Sequence, residues 1–217
     1  MSANFKFGRA YDFHEMLADG IVHAIGVVLA LIGATALIFY ATVYSDHAQV
    51  AAACIYGVGL VGSLGISFAY NMLPHSRFKW HMRRLDHSAI FFLIAATYTP
   101  FLQAGAHHPR VLGLLIAIWV IACLGIAVKC LLPGRYDRLA VILYLLLGWS
   151  GLVAIGPMAT YLPASSLILI VIGGVIYSAG VVFHLWEKLR FQNAIWHGFV
   201  VTAAAVHYSA VFLAFRV

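Results

Sequence analysis

Seven apolar stretches, each long enough to cross a bilayer, dominate the chain: 20–43, 48–72, 87–106, 110–132, 138–158, 164–185 and 194–215. A crossing takes about 20 residues, so seven crossings use roughly 140. The remainder of the 217 residues, split among eight outer segments, leaves no stretch as long as a small domain of ~50 residues. The expected fold is all-α: a seven-transmembrane helix bundle, one integral membrane domain over residues 1–217. The fifth and sixth spans have no charge between them, and Gly156-Pro157 and Leu162-Pro163 supply the turn.

Composition agrees, with 64% hydrophobic and 9% charged residues, against about 25% charged in a soluble domain. The 13 Lys and Arg outweigh the 7 Asp and Glu. In a soluble protein that excess would point to nucleic acid; here it encodes topology, and no nucleic-acid partner is expected. The N-terminus and the loops after spans two, four and six carry Lys6, Arg9, Arg77, Lys79, Arg83, Arg84, Lys129, Arg135, Arg138, Lys188 and Arg190, leaving only Arg110 and Arg216 opposite. The positive-inside rule therefore places the N-terminus in the cytoplasm and the C-terminus outside, in a multi-pass protein of the plasma (inner) membrane. Cys54, Cys123 and Cys130 lie in apolar runs and read as packing residues rather than a disulfide framework. Residues 1–19 have no apolar core of a cleavable signal. Residues 4–17 mix aromatic and charged positions, as in a short helix lying among headgroups.

Ionisable groups inside spans cost roughly 2.5–3.5 kcal/mol each at mid-helix, so each needs a partner, a water cavity or a function. Glu15, Asp19 and His23 recur every four residues on one face of the first helix. The second span ends with Ser67 and Asn71, the third begins with Asp86 and His87, and the seventh carries Asn193, His197 and His207. Four helix ends thus bring carboxylates, a hydroxyl, amides and imidazoles to one depth, a single polar pocket in the cytoplasmic half. His207, about 15 Å deeper by helical rise, either floors that cavity or makes a separate core contact; the core contact is favoured. Structural roles compete elsewhere. Asp86 could cap the third helix, Ser67 could bond back to its own helix, and Gly59, Ser63 and Ser67 form a small-residue stripe suited to helix packing. His184 could interact with its helix C-terminus, and His75, His81, His107 and His108 read as solvated.

These residues resemble a family: bacterial hemolysin III-like proteins, relatives of the progestin and adipoQ receptors and, more distantly, of the alkaline ceramidases. The resemblance covers nearly the whole chain. It rests on Glu15-x3-Asp19-x3-His23-x2-Gly26, on Ser67-x2-Tyr70-Asn71 with Pro74-His75, on Leu85-Asp86-His87-Ser88-Ala89-Ile90 running to Thr97-Tyr98-Thr99-Pro100, and on Ala194-Ile195-Trp196-His197 leading to His207. It implies a zinc site of three histidines with a Ser and an Asp close by. By position those ligands fall on Asn71, Asn193 and His197, so only His197 is retained, while Ser67 and Asp86 match the neighbouring polar positions. Zinc prefers imidazole, thiolate or carboxylate, and two amides are poor substitutes. The expectation is an altered or lost zinc site, with His23 as a substitute ligand, or no metal.

Two functions of different class follow. One is a metal-dependent hydrolase of a lipid amide or ester, with Ser67 and Asp86 in catalytic roles. The other is a non-enzymatic lipid or small-molecule sensor or membrane-homeostasis factor, cytolysis being a family label; a proton or ion pathway through Glu15, Asp19, His23, Asp86 and His197 is a third reading. Membrane lipid is the expected partner under either of the first two. A retinal protein is excluded because the last span contains no lysine.

Overall fold

A computed structural model describes residues 11–132 and 134–216. Its elements are α1 (Phe13–Tyr44), α2 (His47–Met72), α3 (Arg77–Ala104), α4 (Pro109–Leu131), α5 (Asp137–Trp149), a 3-10 segment (Ser150–Ala154), α6 (Ile155–Met158), α7 (Ala164–Leu185) and α8 (Gln192–Ala214). Among the described residues there is no strand. Seven helical segments are long and apolar enough to cross a membrane, α5 through α6 forming one of them. The fold is the expected seven-helix bundle.

Local chemistry fixes the helix starts. Asp12 and Asp46 open α1 and α2 with reciprocal capping boxes to Glu15 and Gln49. The Glu15 backbone N–H beside Asp12 holds its carboxyl below the usual carboxylate range. The proposed headgroup helix over 4–17 lies partly outside the described residues; from Phe13 onward the chain is already α1. Ser76 caps α3 through the Lys79 N–H, so Asp86 sits within that helix and does not cap it. Lys79, Arg83 and Arg84 bound the span in the sequence but belong to α3, because two of them find partners. Lys79 Nζ donates to the Leu73 carbonyl at 2.8 Å, and Arg83 Nη2 to Asp137 Oδ2 at 2.6 Å.

Helices α1 to α4 pack in sequence, α7 packs on α8, and α8 returns to α1, while α5 touches α3 and α7 only sparsely. Close approaches make the tight pairs: a Cβ on Gly59 would fall 2.6 Å from Ala96 on α3, and one on Gly26 2.7 Å from Val201 on α8. The fifth crossing changes winding where Tyr98 of α3 enters its backbone. The Tyr98 hydroxyl donates to the Gly148 carbonyl and accepts from the Gly151 N–H at 3.0 Å. A side chain inserted into the ladder in this way relaxes the α-helix locally.

One ion cluster ties α3, α4 and α5 at the end of the bundle that carries most of the basic residues, here called the basic end. Lys129, 3% exposed, reaches Asp137 Oδ1 at 2.7 Å, opposite the Arg83 contact. Nothing singled out this cluster in the sequence, although Lys129 interrupting an apolar run was a signal. Removing one partner leaves a buried charge uncompensated. Asp137→Asn is expected to destabilise by about 3 kcal/mol, read as a lowered thermal midpoint in detergent, and Asp137→Asn with Lys129→Met to recover most of it.

Candidate functional site

At the basic end α1, α2 and α8 bring their polar residues to one point. Glu15 sets the register of α1 against α8: its carboxylate accepts from the Asp12 N–H at 3.1 Å and from the Phe191 N–H at 3.0 Å. Gln192 accepts from the Tyr11 hydroxyl and donates to the His184 carbonyl, both at 3.0 Å. Glu15, expected in the pocket, is thus a brace between the start of α1 and the loop before α8, and it does not line the cavity described below.

Asp19 is the hub. Its Oδ1 accepts from His197 Nδ1 at 2.7 Å and its Oδ2 from Asn193 Nδ2 at 2.8 Å. Its backbone carbonyl accepts from His23 Nδ1 at 2.9 Å. Asn193 Nδ2 also reaches Asn71 Oδ1 at 2.9 Å, and Asn71 Nδ2 returns to the Ser67 carbonyl at 2.9 Å. Asp19, His23 and His197 are all buried. Carbonyl and carboxylate oxygens only accept, so both imidazoles carry a proton on Nδ1. In the neutral rings each Nε2 is therefore a lone pair. His23 Nε2 meets Ser67 Oγ at 3.3 Å, and the His23 and His197 ring centres lie 4.1 Å apart. The Asp19 backbone carbonyl, the His23 imidazole and the Ser67 hydroxyl thus stand in line, with the Asp19 carboxylate 3.4 Å from the same His23 Nδ1.

A cavity of about 220 Å³ opens from this cluster into the bundle. His23, Ser67, Asp86 and His197 line its basic end, and Tyr177 and His207 line its far end. Asp86 reaches His87 Nδ1 at 3.5 Å, and that same Nδ1 donates to the Arg83 carbonyl at 2.9 Å. Ser63 and Ser67, read as packing residues from their spacing, face this cavity. His207 is both a core contact and a lining residue: its Nε2 bonds the Ile170 carbonyl at 3.1 Å. His184 lines the cavity and lies against Trp196, ring centres 4.9 Å apart. His75, His81 and His107 are exposed, and His108 caps α4. Tyr177 was not among the residues singled out; its place on a uniformly apolar helix gave no periodic signal.

The donor set tests whether zinc fits. Asp19, His23 and His197 can offer ligand atoms all within 4.8 Å of one another. In the observed arrangement each Asp19 oxygen accepts one hydrogen bond, His197 Nδ1 is spent as a donor, and Asn71 and Asn193 bond to each other. Two imidazole Nε2 lone pairs remain, and Asp19, whose oxygens each keep a second lone pair, is the third candidate ligand. As arranged, the residues do not supply the three-imidazole set that the resemblance implies.

The chain matches the family model described as Haemolysin-III related over residues 11–208. It is 36% identical over 207 residues to Hemolysin-3 of Bacillus cereus, covering 95% of this chain and 94% of that protein. It is 33% identical over 201 residues to the Hemolysin-3 homolog of Bacillus subtilis, covering 93% and 94%. It is 31% identical over 206 residues to the human Monocyte to macrophage differentiation factor, covering 91% and 83%. With seven membrane-spanning helices and a family match over nearly its full length, the chain belongs to the haemolysin III-related family of multi-pass membrane proteins.

Proposed function

We propose that this protein takes a single-chain lipid from the membrane into its cavity and hydrolyses an ester or amide at the lipid's head, without a metal. The carrying observation is the Ser67 hydroxyl 3.3 Å from His23 Nε2, with the Asp19 backbone carbonyl holding the opposite ring nitrogen, at the wall of the cavity. A hydroxyl is a weak nucleophile until a neighbouring base removes its proton, and that arrangement of roles recurs on unrelated folds.

Ser67 Oγ attacks the carbonyl carbon while its proton passes to His23 Nε2. The carbonyl C–O or C–N bond then breaks, and the departing alcohol or amine takes that proton. Water attacks the acyl-Ser67 ester, gives one proton to His23, and releases the acid as Ser67 is reprotonated. The Asp19 backbone carbonyl keeps the imidazole in the tautomer that can accept, and the Asp19 carboxylate, 3.4 Å from Nδ1, stabilises the imidazolium. Asp86 faces the same space and accepts a hydrogen bond from an N–H or O–H of the lipid head, favouring uncharged or cationic heads over anionic ones. The N-terminal end faces the cytoplasm, where the basic loops remain. Cytolysis, carried by the relatives' names, follows in this reading from lipid turnover rather than from a pore.

Binding without turnover is the second reading. It draws on the closed circuit of Asn71, Asn193, Asp19 and His197, a stable polar floor that needs no chemistry.

Lipid turnover in defined vesicles, with monoacylglycerols and N-acyl amines as substrates, separates the two. Ser67→Ala and His23→Gln are each expected to lower turnover by at least about a hundredfold, and chelators to leave it unchanged. Turnover that survives Ser67→Ala, or that stops on chelation, contradicts the assignment; absence of turnover with retained lipid binding favours the second reading. Elemental analysis supplies a further check. Asn71→His with Asn193→His places imidazoles beside His197 and is expected to raise zinc content to about one per chain, well above the starting protein. An equal zinc content in both would contradict the placement of these three positions around one point.

A further inference from the structure

The far end of the cavity is polar where an alkyl tail alone would leave polar groups unpaired. His207 follows His197 by ten residues on α8, so the two ends are separated by about 15 Å of helical rise. His207 Nε2 sits 3.1 Å from the Ile170 carbonyl and must donate. In the neutral ring Nδ1 is then an acceptor. The Tyr177 ring lies beside it, centres 5.5 Å apart, and its hydroxyl makes no hydrogen bond among the described residues. Both residues line the cavity. Space for the imidazole comes from Gly173, where a Cβ would fall 2.2 Å from His207 Cδ2. A glycine that yields its volume to a membrane-embedded polar ring places that ring specifically.

Polar groups facing hydrocarbon without partners are costly. Tyr177 offers a donor and His207 Nδ1 an acceptor, and one ligand atom satisfies both only if it accepts and donates at once. A hydroxyl does so; a methylene does neither, and a ketone can only accept. Resting on the reading that the cavity takes a single-chain lipid, we infer that its far end is a recognition site for a hydroxyl carried partway along the acyl chain. The preferred ligands are hydroxyacyl lipids, with Tyr177 and His207 as their specificity residues.

The test uses non-hydrolysable glyceryl ethers, so that binding is read apart from turnover. Radiolabelled ricinoleyl and oleyl glyceryl ethers, which differ only by the mid-chain hydroxyl, are titrated onto the full chain in nanodiscs. Two hydrogen bonds that the oleyl chain cannot make predict about tenfold tighter binding of the ricinoleyl ether. Tyr177→Phe should abolish that preference while oleyl binding is kept, which also shows that the variant is folded. Gly173→Ala, by displacing the His207 ring, should reduce it as well. Moving the hydroxyl next to the head, in a 2-hydroxyoleyl glyceryl ether, should give no advantage. Equal binding of the ricinoleyl and oleyl ethers to the unmodified protein, or a preference that survives Tyr177→Phe, overturns the hydroxyl site and leaves lipid binding standing. Failure of both ethers to bind overturns the lipid reading and this inference together.

Discussion

A single carboxylate organises the basic end of the bundle. Asp19 is buried among α1, α2 and α8, and a carboxylate at that depth persists only because two donors from α8, Asn193 and His197, converge on it. Satisfying it consumes the Nδ1 proton of His197 and an amide proton of Asn193, while its own backbone carbonyl takes the Nδ1 proton of His23. The tautomers follow, and with them the direction in which each imidazole presents its lone pair. The Glu15 brace to Phe191 N matters because it fixes where α8 begins, and so where Asn193 and His197 meet Asp19.

The spans were legible because the bilayer demands about 20 apolar residues per crossing and the sequence supplies seven such runs. Their ends were less so. Charges mark interfaces only when they are solvated, and Lys79, Arg83 and Lys129 are helical residues with carbonyl or carboxylate partners. Asp86 next to two arginines looked like a cap, yet the preceding turns were already helical from Ser76. In the site, the four-residue spacing of Asp19 and His23 revealed a shared face but not that Asp19 also receives α8. Glu15 shares that spacing and faces a different partner, since the loop before α8 arrives at its height. Hydrogen-bond direction, which decides what Asn71 and Asn193 do, is a property of the assembled helices.

The asymmetry of packing links the cluster to the membrane. Helices α1 to α4 and the α7–α8 pair hold together through glycine approaches, whereas α5 packs sparsely and its winding yields to Tyr98. The cavity lies beside this least engaged helix, between the His23–His197 cluster and the Tyr177–His207 end. In the proposed function, a lipid entering past α5 would meet a site already formed on the tightly packed side of the bundle.

The tautomeric state of the two imidazoles is the most direct test of this account. Nitrogen-15 NMR of histidine-labelled protein, with His23→Gln and His197→Gln for assignment, reads it at each ring. The account predicts, for each ring in its neutral form, the tautomer that carries the proton on Nδ1 and leaves Nε2 unprotonated. A proton on Nε2 of His23 would contradict it, because Ser67 would then face a donor and lose its base.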